Sequence, residues 1–468
     1  MSSSPSFEPF DRKMREAGLS GAAIAAFRHS YGLLAAGATG LVAETEIAPA
    51  AGLPRLDALP ERSAEGARLL PRAVALKLNG GLGTSMGLER AKSLLEVKPG
   101  LAFLDLIARQ ALALRKPQEG RARFLLMNSF STSADSRARL AAHPGLGDPA
   151  QMELLQSRVP KVDARTLAPA EWPSHPSLEW CPPGHGDLYP SLLESGWLDR
   201  LVGEDALFLF VSNADNLGAT LDPSLLAWFA ESGLSFAMEV AERTEADRKG
   251  GHLALRRADG RFLLRESAQC PKADEAAFQD VKRHGFFNTN SLWIRLDHLR
   301  EILGKHGGFL PLPLILNSKT LDPRDPKSPA VFQLETAMGA AIECFERAGA
   351  IVVPRSRFVP VKTISDLLVL RSDAYEVAPD SRVRLATACG GRAPVVELDS
   401  RHARFVEHLD HMTAEGIPSL ARCRRLKIEG PIAFDAGVSF EGEVTVRNSS
   451  VEERRVRSGL YRETTVEL

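Results

Sequence analysis

Ala73-Val-Ala-Leu-Lys-Leu78 runs directly into Asn79-Gly80-Gly81-Leu82-Gly83-Thr84-Ser85-Met86-Gly87. A short apolar run that stops abruptly in glycines and small polar residues reads as a buried strand followed by a tight loop. The arrangement recurs at Phe124–Met127, which ends in Asn128-Ser129, and at Leu207–Val211, which ends in Ser212-Asn213-Ala214-Asp215. Helix-like stretches separate the three runs, so the expected fold is α/β on a parallel sheet. Ligands of such sheets sit outside the carboxyl ends of the strands. All three polar endings are therefore expected on one functional edge.

Toward the N-terminus, residues 7–70 are rich in Ala, Leu, Glu and Arg with Pro and Gly punctuation, the text of short connected helices. Toward the C-terminus the pattern changes again. Leu426, Ile432, Val438 and Val444 fall every sixth residue, as do Ile428, Phe434, Phe440 and Val446, with Gly430, Gly437 and Gly442 between them. A six-residue period is the pattern of a β-helix, in which each flat face sends side chains into a stacked core. An ordinary hairpin pair is the alternative. The tail after Ser449 is charged and reads as solvated surface.

Composition narrows the class. The chain has 468 residues, enough for two or three domains, and 58 Lys and Arg against 59 Asp and Glu. With no basic excess, a dedicated nucleic-acid binder is not expected. The strongest apolar run, Ala206–Val211, is far short of the ~20 residues that span a bilayer. Met1–Phe7 has no basic segment followed by an apolar one, so no secretion signal is expected. Five scattered cysteines, without CxxC or metal-ligand spacing, suggest reduced thiols and a cytoplasmic protein.

The glycine loop has three familiar competitors. A Walker A loop needs Gly-Lys-Ser/Thr, and Gly87 is followed by Leu88-Glu89, so that reading fails. Gly81, Gly83 and Gly87 give GxGxxxG, a weak near-match to the dinucleotide fingerprint, with no acidic residue ending a clear second strand. A tight turn without a ligand is the third. What the glycines supply in any ligand-binding case is bare backbone that a phosphate or a base can approach.

Leu78-Asn-Gly-Gly-Leu-Gly-Thr-Ser-Met-Gly87 closely resembles the nucleotide-binding loop of the eukaryotic-type UTP–glucose-1-phosphate uridylyltransferases (UDP-glucose pyrophosphorylases). Leu126-Met-Asn-Ser-Phe130, Gln156-Ser-Arg158, Pro182-Pro-Gly-His-Gly-Asp187 and Val211-Ser-Asn-Ala-Asp-Asn-Leu-Gly-Ala219 resemble that family too, in its order. So do Lys249-Gly-Gly251, Glu266-Ser-Ala-Gln269, Phe287-Asn-Thr-Asn290 and Pro354-Arg-Ser-Arg-Phe-Val-Pro-Val-Lys-Thr363. The resemblance spans about residues 70–375. It implies an α/β nucleotidyltransferase domain, Rossmann-like with a mainly parallel mixed sheet, followed by a short left-handed β-helix. The handedness comes from the resemblance alone. The corresponding divisions are an N-terminal helical segment (1–70), a catalytic domain (71–375) and a C-terminal domain (376–468).

The implied reaction joins UTP and glucose 1-phosphate into UDP-glucose and releases pyrophosphate, by in-line attack of the sugar phosphate on the α-phosphorus. Both reactants are polyanions, so the catalyst must supply cations and alignment rather than a nucleophile. The resemblance assigns catalysis to Lys362 and Lys92, each also touching the nucleotide. It assigns the nucleotide to Leu78, Asn79, Gly80, Gly81, Met127, Gln156, Gly184, Asn213, Ala214 and Asp215. The sugar phosphate falls to Gly80, Gly81, His185, Gly251, Glu266, Asn288 and Asn290. Asp215, at a strand's carboxyl end, is the expected Mg²⁺ ligand, since Mg²⁺ takes one or two carboxylates and keeps phosphate oxygens and waters. A side-chain amide such as Gln156 offers both a donor and an acceptor to uracil. Arg355 and Arg357 are as much structural candidates as functional ones.

One departure stands out. The family carries Cys-Lys-Gly-Pro-Lys where this chain has Leu88-Glu89-Arg90-Ala91-Lys92, so Glu89 replaces the first lysine. Nearby alternatives are a broader UDP-sugar or UDP-N-acetylhexosamine pyrophosphorylase. A catalytically inactive nucleotide-sugar binding protein comes from a different class, and retention of Lys92, Asp215 and Lys362 together speaks against it. In the family the C-terminal domain mediates association. The repeat here is shorter than the family's, which leaves a homo-oligomer open.

Overall fold

The structure, a computed structural model, describes residues 6–115 and 122–468. Most of Met1–Phe7, on which the expectation about a secretion signal rests, lies outside the described residues. The strands expected from the three apolar runs form as Ala73–Asn79, Arg123–Asn128 and Phe208–Asn213. Each is apolar on both faces. Ala73, Ala75, Phe208 and Phe210 face one hydrophobic core, and Val74, Leu76, Leu209 and Val211 face the other. That two-sided burial is why the runs read as continuous rather than alternating.

Phe208–Asn213 pairs in parallel with Ala73–Asn79, which pairs in parallel with Arg123–Asn128, and that strand with Glu153–Leu155. This parallel centre belongs to a ten-stranded mixed sheet. The long strand Phe286–Arg295 runs antiparallel between Phe208–Asn213 and Phe236–Glu242. Its register with Phe236–Glu242 slips between Glu239 and Val240, so that Glu239 faces Ser291 while Val240 faces Asn288. Thr289 and Asn290 form the resulting bulge, and Asn290 takes a left-handed φ of 57°.

The first 70 residues are largely helical, with helices Glu8–Glu16, Gly21–Ala35 and Ser63–Leu69. Ser20 caps the second, its Oγ accepting from the Ala23 N–H at 3.1 Å. Phe7, Phe10, Phe27 and Tyr31 pack the first two helices together, with ring centroids 4.7 Å apart for Phe10 and Tyr31. Between the helices, Ile47–Pro49 joins the edge of the large sheet against His252–Arg256. No described helix is long and apolar enough to cross a membrane.

At the C-terminus the hexads build parallel rungs. Ser419–Glu429 stacks on Val395–Leu398, Val438–Arg447 on Ser419–Glu429, and Gly459–Glu467 on Val438–Arg447, all in parallel. A second face stacks Ile432–Phe434 against Arg454–Val456. Parallel stacking excludes the hairpin alternative, because a hairpin pairs its strands antiparallel. The eight hexad residues are all at most 2% exposed. The charged tail differs from its expected role as mere surface. It supplies the last rung, where Val456 is fully buried while the charged residues point outward. A charged run carries its few apolar residues unnoticed when only the stacking neighbour makes them inward.

Candidate active site

Strand register builds the floor of the site. Asn213 lies beside Leu78, and Leu78 beside Met127, so these three residues from three strands form one row. Just beyond them, all three chains turn into loops at the same edge. Asn79 holds the glycine loop in place: its Nδ2 donates to Asn128 Oδ1 at 2.7 Å and to Ser136 Oγ at 2.8 Å. The Ser129 hydroxyl donates to the Gly80 carbonyl at 3.0 Å, and the Thr132 hydroxyl to that of Asn79 at 2.7 Å. The Asn79 Nδ2 donors are therefore engaged with the scaffold, while the residue itself lines the cavity.

Gln156 closes one wall. Its backbone N–H donates to the Asn128 carbonyl at 2.7 Å and its Nε2 to the Gly184 carbonyl at 3.0 Å. Its Oε1 faces the loop, 2.8 Å from where a Cβ on Gly80 would stand. Gly184 has φ +81°, and a Cβ there would lie 2.4 Å from the Thr336 carbonyl, so no other residue fits. His185 accepts the Met338 N–H on Nδ1 at 2.8 Å. Burial pulls its pKa down to about 4, so the ring is neutral and its proton sits on Nε2 as a donor.

The opposite wall carries the charges. Lys92 Nζ lies 2.7 Å from Asp215 Oδ2 and also donates to the Val361 carbonyl. Asn216, next to Asp215, staples this loop to the segment ahead of Lys362. Its Nδ2 donates to the Arg357 carbonyl at 3.1 Å, and its Oδ1 accepts the Val359 N–H at 2.9 Å. Lys362 itself is exposed, with Nζ 5.8 Å from the Phe358 ring centre. Its charge draws the Glu266 carboxyl down against the larger effect of burial, which raises it. Glu266 in turn packs on Gly251: a Cβ at Gly251 would meet Glu266 Oε2 at 2.4 Å. Gly251 accepts the Asn288 N–H through its carbonyl, and Asn288 Nδ2 donates to Asn290 Oδ1 at 2.8 Å. Gly251, Glu266, Asn288 and Asn290 thus form one polar cluster, with Lys362 beside it.

A cavity of about 330 Å³ opens between these walls. Of its fourteen lining residues, all but Ser93 and Pro182 are candidates from the sequence: Leu78, Asn79, Gly80, Gly81, Lys92, Met127, Gln156, Gly184, His185, Asn213, Ala214 and Asp215. Lys362 and the Gly251 cluster lie outside this lining. Segment 336–339 connects the two regions, touching His185 through Met338 and Asn288 at Gly339.

The profile of the UTP–glucose-1-phosphate uridylyltransferase family matches residues 36–441. The chain belongs to that family. Among curated members, the uridylyltransferase of Saccharomyces cerevisiae is 39% identical over 402 residues, 85% of this chain and 78% of the relative. That of Solanum tuberosum is 37% identical over 398 residues, 85% and 81% of the two chains. A mutant UDP-glucose pyrophosphorylase of Leishmania major, in complex with UDP-glucose, superposes with a TM-score of 0.93 at 45% identity, covering both chains completely.

Within this uridylyltransferase framework, several residues escaped the sequence reading. Ser93 is 3% exposed, lines the cavity and has an unpartnered Oγ. Asp187 and Asn216 carry no local signal of their tasks, because their partners Ser157, Arg357 and Val359 are distant in sequence. Arg357 resolves as structural: its guanidinium forms a two-bond pair with Glu239, at 2.8 Å each, and both are buried. Arg355 pairs with Asp247 at 2.8 Å. Glu89 is exposed and lines no part of the cavity, so the family's missing lysine does not alter these walls.

Proposed function

We propose that this cavity transfers the uridylyl group of UTP to glucose 1-phosphate, giving UDP-glucose and pyrophosphate. The observation that carries it is the convergence on one sheet edge of a backbone-lined glycine loop, an amide fit for a base, and two lysines. An oxygen of the sugar phosphate attacks the α-phosphorus in line, the bond to pyrophosphate breaks, and no protein nucleophile takes part. Gly80 and Gly81 let the nucleotide approach bare backbone, and Gln156 meets the uracil. Leu78, Met127, Asn213 and Ala214 form the nucleotide's floor. Lys92 binds the phosphates, and Lys362 stabilises charge that grows at the α-phosphate in the transition state. The Nε2–H of His185, Glu266, Asn288 and Asn290 orient the sugar phosphate, Gly251 making room for the Glu266 carboxylate.

Mg²⁺ fits this donor set. Among the described residues no group of three His, Cys, Asp or Glu side chains is placed to hold a metal. Asp215 is a single, partly exposed carboxylate at a strand end, the kind of partial ligand that Mg²⁺ completes with phosphate oxygens and water. Bound there, Mg²⁺ would neutralise phosphate charge. The C-terminal rungs are assigned a left-handed winding, supported by the family resemblance alone. A homo-oligomer would use the exposed outer rung around Leu460, and the five unpaired thiols fit a cytoplasmic setting. The deciding experiment is pyrophosphate release from UTP with and without glucose 1-phosphate. Release that needs both substrates, together with Mg²⁺, is expected. Release independent of the sugar phosphate overturns the reading.

A further inference from the structure

The base-reading amide sits in a closed ring of hydrogen bonds. Gln156 Nε2 donates to the Gly184 carbonyl at 3.0 Å, and the Asp187 N–H donates to that same carbonyl at 3.3 Å. The carboxylate of Asp187 closes the ring from the other side, Oδ2 accepting the Ser157 N–H at 2.7 Å, one residue after Gln156. The Ser191 hydroxyl donates to the same oxygen at 2.8 Å. Asp187 is 4% exposed.

The ring has a chemical consequence. An amide can turn over, exchanging its oxygen and nitrogen at little steric cost. In one orientation it presents an acceptor beside a donor, which matches the N3–H and a carbonyl of uracil. Turned over, it matches the N3 and exocyclic amine of cytosine. Here the turned orientation would set Gln156 Oε1 against the Gly184 carbonyl, acceptor against acceptor. The ring therefore fixes which pyrimidine the amide can read, provided Gly184 and Gln156 keep their spacing.

We propose that Asp187 is a positioning residue for base selection: it fixes Ser157 and Gly184, locks the Gln156 amide in its uracil-reading orientation, and so excludes cytidine triphosphate. The inference rests on the reading of Gln156 as the residue that meets the base. Burial raises the Asp187 carboxyl to about 7, so the group is held there at a cost, as expected of one kept for its geometry.

The test compares kcat/KM for UTP and CTP, each with glucose 1-phosphate, in the full-length enzyme. Asp187→Asn keeps an oxygen acceptor and should leave the UTP-to-CTP ratio within about threefold of the parent. Asp187→Leu removes the acceptor and should lower that ratio tenfold or more. A merely structural role would lower both rates in parallel and leave the ratio intact, which overturns the proposal. An Asp187→Asn enzyme that loses selectivity as fully as Asp187→Leu also overturns it. If Asp187→Leu does not fold, Ser191→Ala decides: a fall in the ratio supports the lock, and an unchanged ratio refutes it. Gln156→Leu is the control. If it keeps the ratio, the base assignment of Gln156 itself has failed. If it loses the ratio while Asp187→Leu keeps it, only the lock has failed.

Discussion

Removing the ammonium of Lys92 tests whether the site is pre-assembled before any substrate arrives. Lys92 Nζ and Asp215 Oδ2 lie 2.7 Å apart, with side chains 16% and 26% exposed. At that separation and an effective dielectric of 20, the gross attraction is about 6 kcal/mol. Desolvation and side-chain ordering take most of it back. Exposed pairs net roughly 0.2–1 kcal/mol, while breaking a fully buried one costs roughly 3–5. The intermediate exposure places the coupling here at about 1–2 kcal/mol. Lys92→Met, Asp215→Asn and the double variant are to be unfolded in urea without nucleotide or metal. Each single change should destabilise by about 1–2 kcal/mol, and the double by about 1–2 kcal/mol less than their sum. Additivity to within about 0.3 kcal/mol would falsify a formed pair. Activity alone cannot make this distinction, since the proposed mechanism uses both residues.

Lys362→Met should lower turnover roughly 100-fold, with UTP affinity far less affected; because Lys362 is exposed, its unfolding free energy should stay within about 0.5 kcal/mol. A loss confined to UTP affinity would move the catalytic role to Lys92. Gly251→Ala pushes a methyl against the Glu266 carboxylate and should raise the KM for glucose 1-phosphate about tenfold, with UTP kinetics unchanged; equal effects on both substrates would mean that Glu266 does not serve the sugar. His185 is held neutral by burial, with its pKa at about 4 against an ordinary 6.5. Its contribution to stability is therefore complete above pH 6.5 and is lost as pH falls through 4, and the stability difference between the parent and His185→Gln should narrow across that window. A pH-independent difference refutes the assignment. Phe440→Ala, in the coil core against Phe434, should cost about 3–5 kcal/mol by urea unfolding; a cost under 1 kcal/mol would place Phe440 outside the core.

The parts of this fold legible in the sequence are those written in local pattern. Ala73–Asn79 and its two companions announce themselves because a strand buried on both faces needs an unbroken apolar run, and a ligand-binding edge needs that run to stop. The hexads are legible because parallel stacking repeats the same inward position each face. What the sequence could not show was pairing at a distance. Lys92 meets Asp215 from 123 residues away, and Asn216 reaches Val359 across 143. The Asn79 amide illustrates the same limit inside a correctly read motif: position in the loop marks it for the nucleotide, yet Asn128 and Ser136 already claim its donors. In the tail, inward Val456 was masked by charged neighbours whose side chains point to solvent.

The pairing pattern also ranks the two lysines. Lys92 already holds a carboxylate and a carbonyl, so whatever it gives an incoming phosphate is a difference between partners gained and partners released. Such exchange suits binding, where ground state and transition state are served alike. Lys362 has no carboxylate within ion-pair distance of its ammonium among the described residues; its charge is felt at Glu266, and its Nζ lies 5.8 Å from the Phe358 ring centre. An ammonium without a committed partner can give its full interaction to charge as it develops, which is the condition for lowering a barrier rather than deepening a complex. Asn216 supplies the remaining requirement, since it fixes the segment carrying Lys362 to the loop carrying Asp215. The cation without a carboxylate partner is thus tethered through its backbone, and both facts favour Lys362 over Lys92 for the barrier-lowering role in the proposed mechanism.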